Sequence, residues 1–313
     1  MIQKFIYSLF IVVMAAHSTY GSTYLTEEAA EEGVRRGASE TFPSSVGVIN
    51  ADGLDSHKDY IWLKFNGVLI HPSLVLTSRH CLKKYSITDG SFWANADAGQ
   101  AWEEVTNKET SSGRRQELQK YCSQLDLNTI YFPPDEGVDL AIIRLKRPLS
   151  QVKLLPLLLD RPKKDWSNGY FVSYAPVYTL SGLDKILNEH KRHIAILDVK
   201  EKEVVDIKEK VDSSSSQSVL VSRWHLEGNP HDPLNRKFIP QNDMHRLTAF
   251  TQESDSGAAF IVTGQKKGDY FVAGIHRGRG VDEEHGEVLS LIIPLYPHKK
   301  WIEGALAQNN LNF

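Results

Sequence analysis

Short apolar runs, rich in Val, Ile, Leu and Phe and parted by turn residues, punctuate the chain from Phe42 onward: "YIWLKF", "GVLI", "SLVLTS", "VDLAIIRL", "YFVSYAPVY", "HIAILDV", "SVLVSRW", "GAAFIV", "YFVAGI" and "VLSLIIPL". Runs of this length and composition read as strands. No long helical periodicity intervenes between them, so an all-β barrel or sandwich is expected. Two stretches differ. The tail "YPHKKWIEGALAQNN" carries Trp301, Ile302, Ala305 and Leu306 at helical spacing after a proline, which predicts a C-terminal amphipathic helix packed on the strands. The segment "EKEVVDIKEKVDSSSSQS" mixes Val and Ile with charges and ends in serines, and reads as a protruding hairpin or loop around Asp212–Ser218. No internal repeat at a fixed period is found.

The first residues, "MIQKFIYSLFIVVMAAHSTYGS", place one lysine before an apolar run and small residues after it, the layout of a secretory signal peptide over 1–21. The run is short for a membrane span, and nothing later approaches about twenty apolar residues. The expectation is a secreted or periplasmic chain with no membrane association once the signal is removed. The segment 22–41, acidic, then dibasic, then small and polar, reads as a pro-segment or flexible arm, or else as an exposed charged helix. Residues 42–313 would form the main domain. With 36 basic and 39 acidic residues interspersed, and a formal net charge of -3, there is no basic stripe, which excludes nucleic acid as a partner. Cys81 and Cys122 are the two cysteines; an oxidising compartment would let them pair, and two free thiols are the alternative.

Three positions carry chemistry. "TQESDSGAAF" sets Ser256 in a turn before an apolar run. A serine hydroxyl is a poor nucleophile alone, so it needs a histidine to take its proton and a carboxylate to orient that histidine. "VLIHPSLVLTSRHCL" places His80 where a strand ends, and "DEGVDLAIIRLKRPL" places Asp139 at the head of a run that must be buried. A partly desolvated carboxylate requires a partner, and an imidazole N–H satisfies it. His190, His193, His225, His231 and His245 are scattered among charges and give no convincing metal site, and no cofactor is expected.

Together, "LVLTSRHC", "VDLAIIRL", "ESDSGAAF", "YFVAGI" and the tail around Trp301 resemble the trypsin/chymotrypsin-like serine peptidases in the order His, Asp, Ser. The resemblance implies two six-stranded antiparallel β-barrels with a C-terminal helix, acting on protein or peptide substrates as a monomer. Ser256 Oγ would attack the scissile carbonyl, His80 would accept and return the proton, and Asp139 would hold the imidazole. The backbone N–H groups of Ser254 and Ser256 would form the oxyanion hole, each donor worth about 3 kcal/mol. Thr251 and His276, in "GIHRGRG", resemble the glutamyl endopeptidase branch, where such a pair receives a substrate carboxylate. Phe250 stands at the pocket base where an acid would select Lys or Arg.

The departures from the family pattern are specific. Ser254 occupies a glycine position whose backbone angle aims an N–H into the hole, so the hole is expected to form only with strain or on substrate binding. Phe65 stands where a cysteine would bridge Cys81, leaving Cys122 as a substitute partner. Asp255 is an acceptor for a liberated N-terminus, yet "VRRG" at Val34–Gly37 matches the expected activation sequence only at its ends. Arg277 replaces a serine that supports the triad acid. Ser254, the incomplete activation sequence and Arg277 support an alternative reading, a catalytically inactive relative that binds a partner through the same cleft.

Overall fold

The computed structural model describes residues 22–38, 45–55, 57–94, 111–162, 168–179, 191–203, 218–228, 236–238, 249–251, 253–264, 266, 268–282 and 287–310. The signal-like residues 1–21, residues 39–41 and the serine-rich stretch 212–217 lie outside them.

The N-terminal segment gives β1 (Thr23–Tyr24) and helix α1 (Glu27–Gly37). Next come β2 (Val46–Leu54), β3 (Tyr60–His71), β4 (Leu74–Thr77), helix α2 (Arg79–Lys83), β5 (Ser86–Ala94), helix α3 (Ser112–Gln119), β6 (Cys122–Tyr131) and β7 (Ala141–Leu145). Strands β2-β3-β4-β7-β6-β5 close into a barrel in that order. The second half consists of β8 (Asn168–Ser173), β9 (Tyr178–Thr179), β10 (His193–Asp198), β11 (Lys200–Glu203), β12 (Ser218–Gly228), β13 (Arg236–Phe238), β14 (Ala249–Phe250), β15 (Ala259–Thr263), β16 (Tyr270–Asp282) and β17 (Glu287–Pro294). Helix α4 (Lys299–Asn310) ends the described chain. The order β10-β8-β15-β16-β17-β12-β11, with β13 beside β12, is an eight-stranded antiparallel sheet. The expected two-barrel, chymotrypsin-like plan holds: among the described residues the closed six-stranded barrel is followed by an eight-stranded antiparallel half-barrel.

The strands read as continuous apolar runs because each feeds two cores. Side chains alternate across a strand. Ile49, Val75, Ala141 and Ile143 line the interior of the closed barrel, while their neighbours Val48, Leu74, Leu76 and Ile142 join a central core with Val172, Ile261, Ile275, Leu291 and Ile293. In the second half Phe171, Phe260, Ala273 and Ile292 face a third cluster. Helix α4 buries Ile302 and Ala305 in the central core, with Trp301 and Leu306 packed against it, as their spacing predicts.

The segment expected as a pro-segment or arm is docked. Strand β1 lies between β14 and β9, and Tyr24, Ala29 and Ala30 belong to the third cluster. Thr26 caps α1 by accepting from the Ala29 N–H at 3.2 Å; Glu27 and Glu28 in the first turn and Arg35 and Arg36 in the last complement the helix dipole. Two glycines let the helix approach β10 closely. A β-carbon on Gly33 would lie 2.5 Å from Tyr24 Oη, and one on Gly37 would lie 2.0 Å from the Arg192 carbonyl oxygen.

Candidate active site

Strand β4 runs fully buried to Thr77, and Ser78 then turns the chain into α2, which places His80 in the first helical turn at the edge of the closed barrel. Asp139 precedes β7, which pairs with β4, so the register that joins these strands also brings the acid beside the imidazole. One carboxylate oxygen, Oδ1, accepts the His80 backbone N–H at 2.7 Å; the other, Oδ2, lies 2.7 Å from His80 Nδ1. His80 Nε2 lies 2.9 Å from Ser256 Oγ. The three residues that the sequence singles out, drawn from both halves of the molecule, thus form one continuous chain of contacts. Asp139 and Ser256 are buried, whereas the His80 side chain is 40% exposed.

The titration of His80 is set by opposing neighbours. Burial lowers its pKa; the Cys81 sulfur, 3.5 Å from Nε2, and the Asp139 carboxylate raise it, and the balance is a rise above the ordinary value.

The nucleophile turn is clamped from both sides. The Asn66 N–H of β3 donates to the Ser256 carbonyl at 2.9 Å, the Gly257 N–H donates to the His276 carbonyl at 3.0 Å, and the Ser78 hydroxyl donates to that same carbonyl at 2.7 Å. Gly257 has φ of 81°, and a β-carbon there would lie 2.0 Å from the Asn66 carbonyl oxygen, so glycine is required on both conformational and steric grounds. Residues Glu253–Asp255 form a 3₁₀ turn. Among the described residues, Lys58 is the non-glycine residue with positive φ, so Ser254 does not adopt the left-handed angle that its glycine-like position would call for.

Asp255 is fully buried. It accepts from the Ser22 hydroxyl at 2.9 and 3.1 Å and from the Ser173 hydroxyl at 2.7 Å. Ser22, directly before β1, is thus brought to this acid, whereas the "VRRG" stretch forms the last turn of α1. Burial, and secondarily the Asp255 charge, push the Tyr24 phenol well above its ordinary pKa. Sequence reasoning missed Ser22; its nearest signal was its place just after the small residues of the signal-like stretch.

Thr251 and His276 do meet: His276 Nε2 lies 2.6 Å from Thr251 Oγ1, and both residues are fully buried. Phe171 packs edge-on to the imidazole at 5.4 Å. Burial pulls the His276 pKa down to about 3 against backbone acceptors at Asp255 and Gly278, so the ring is neutral at neutral pH. The proposed Cys81–Cys122 bridge is not formed. Both thiols are free, with Cys81 packed in the closed-barrel core and Cys122 in β6, where burial pushes its pKa up to about 12. Among the described residues no group of three or more His, Cys, Asp or Glu could hold a metal ion.

No family model matches the chain, and no curated protein matches it. Among solved structures the chain is similar to a Glu endopeptidase in complex with MPD, at 12% identity and a TM-score of 0.45, covering 92% of this chain and 97% of that one.

Proposed function

We propose that this chain is a secreted or periplasmic serine endopeptidase in which Ser256 is the nucleophile, His80 the general base and acid, and Asp139 the group that orients it. The carrying observation is the unbroken contact from Asp139 Oδ2 through His80 to Ser256 Oγ, 2.7 and 2.9 Å long. In this arrangement Nδ1–H donates to the carboxylate, leaving Nε2 to accept the serine proton as Oγ attacks a peptide carbonyl. The resulting imidazolium is stabilised by Asp139 and then protonates the leaving amine; water, activated by the same His80, hydrolyses the acyl-enzyme. Backbone N–H groups of Ser254 and Ser256 receive the developing oxyanion, which requires the Ser254 peptide to turn out of its 3₁₀ conformation as substrate binds.

Preference for Glu or Asp before the cleaved bond is the finer part of the proposal. Its support is the Thr251–His276 pair, a hydroxyl and an imidazole that together can hydrogen-bond a carboxylate. Equal turnover of matched Glu, Lys and Phe peptides would sink it. A second reading, binding without catalysis through the same cleft, is favoured by the Ser254 turn. A fluorophosphonate probe separates the two: an adduct on Ser256, located by mass spectrometry and lost in His80→Ala, is expected of the peptidase. No adduct on demonstrably folded protein would move the assignment to the binding relative.

A further inference from the structure

Strand β16 carries a bulge that changes where its side chains go. His276 pairs with Ile292 and Gly278 with Leu291, so Arg277 is the extra residue between two consecutive registers of β17. A bulge of this kind re-aims a side chain relative to the regular alternation of the strand. Here Arg277 Nε lies 3.9 Å from Asp139 Oδ2, the same oxygen that contacts His80 Nδ1 at 2.7 Å. Its side chain is 17% exposed and that of Asp139 is 10% exposed, so the two charges meet partly out of water, where they are screened less.

We infer that Arg277 is a positioning residue that fixes the Asp139 carboxylate and makes His80 a weaker base, so that the base is free of its proton at lower pH than it would be with Asp139 alone. The inference deepens the peptidase reading and rests on His80 serving as the base. Its physics is competition. A guanidinium 3.9 Å from Oδ2 offsets part of the negative potential that the carboxylate offers an imidazolium, and it repels that imidazolium directly.

The other groups facing His80 have fixed places. From the closed barrel come Asp139 and Cys81, whose sulfur lies 3.5 Å from Nε2. Arg79, also in α2, donates to the Asp135 carbonyl at 3.4 Å and lies 3.7 Å from Glu136. From the open half come Ser256, His276, which burial keeps neutral, and Arg277.

The test is the titration of His80 itself, followed by NMR of the imidazole in the full folded chain, for the unaltered protein, Arg277→Gln and Arg277→Lys. The expected result is a rise of about one pH unit in Arg277→Gln, with Arg277→Lys restoring most of the difference. The acidic limb of kcat/KM should move by the same amount. An unchanged His80 titration in folded Arg277→Gln overturns the inference. So does a selective rise in KM for Glu substrates with the acidic limb in place, which would assign Arg277 to the substrate carboxylate. Arg277→Ser repeats the measurement if the Gln variant does not fold. A titration shift without any serine adduct supports the Arg277 effect while retiring the peptidase reading, so the two fail separately.

Discussion

The half of the molecule that supplies the base and the half that supplies the nucleophile are built differently. His80 and Asp139 stand on a barrel whose six strands close on one another, so each strand has two hydrogen-bonded neighbours. Ser256, His276 and Arg277 stand on or beside a sheet that does not close among the described residues, next to a three-stranded patch that β1 completes and an acid that Ser22 reaches. Closure alone removes sheet edges. The nucleophile's half also draws on residues far away in sequence, β1 and Ser22, and the geometry of the nucleophile inherits that dependence.

The largest test of this division asks whether the halves act as one unit. His80→Ala and Ser256→Ala should each lower kcat by about 10⁴-fold or more, and the double variant should be no worse than the poorer single one. Additive losses, measured by steady-state kinetics, would mean that the contact across the halves is not the reacting unit.

Acid should then separate the halves. His193 in β10 and His276 in β16 are both fully buried, with pKa values lowered to about 3 by burial. Because their folded pKa lies below the unfolded value, their neutral forms contribute stability above about pH 6.5 that is lost as pH falls toward 3. At pH 4.5 each would cost up to about 3 kcal/mol. His80 has the opposite sign: its raised pKa adds stability below the unfolded value, which is lost as pH rises through the folded one. Hydrogen exchange at pH 4.5 should show β10 and β16 opening before β2 and β7. Uniform loss of protection would erase the contrast.

Next in size is the docking of α1. Gly37→Ala would force a β-carbon against the Arg192 carbonyl, and should destabilise by about 2 kcal/mol, read from the urea midpoint. Gly113→Ala in α3, where nothing lies within 4 Å, should instead stabilise by about 0.5–1 kcal/mol through helix propensity. At the oxyanion turn, Ser254→Gly should raise kcat about tenfold by freeing the left-handed angle. An unchanged kcat would show that forming the hole does not limit the reaction.

How much of this was legible follows from the distance over which each feature is encoded. His80, Asp139 and Ser256 were readable because each sits at a strand end or turn with a local pattern of its own. Helix α4 was readable from Ile302 and Ala305 at helical spacing. The docking of α1 was hidden because Ala29, Ala30, Gly33 and Gly37 make their contacts by smallness, which leaves almost no hydrophobic signal, while the charges of Glu32, Arg35 and Arg36 suggested a solvated arm. The pairing order of the second half was hidden because strand pairing is non-local: apolar runs announce strands without naming their neighbours. Arg277 is legible as a departure from the family pattern, but its contact with Asp139 depends on a one-residue bulge that no local pattern announces.

Strands with apolar residues on both faces raise a problem of alignment. Where one face is wet, a one-residue slip is punished by burying charge and exposing oil. In the closed barrel a slip would merely exchange Val48 for Ile49 or Leu74 for Val75, one greasy side chain for another. Polarity cannot police such a sheet, so shape must. At Gly47 a β-carbon would lie 2.1 Å from the Trp93 carbonyl oxygen, and at Gly67 it would lie 2.7 Å from Val75 Cγ1. Each works like the notch of a key: slide the strand by one and a side chain arrives where there is no room, so it is the empty places in the barrel that keep His80 and Asp139 in step.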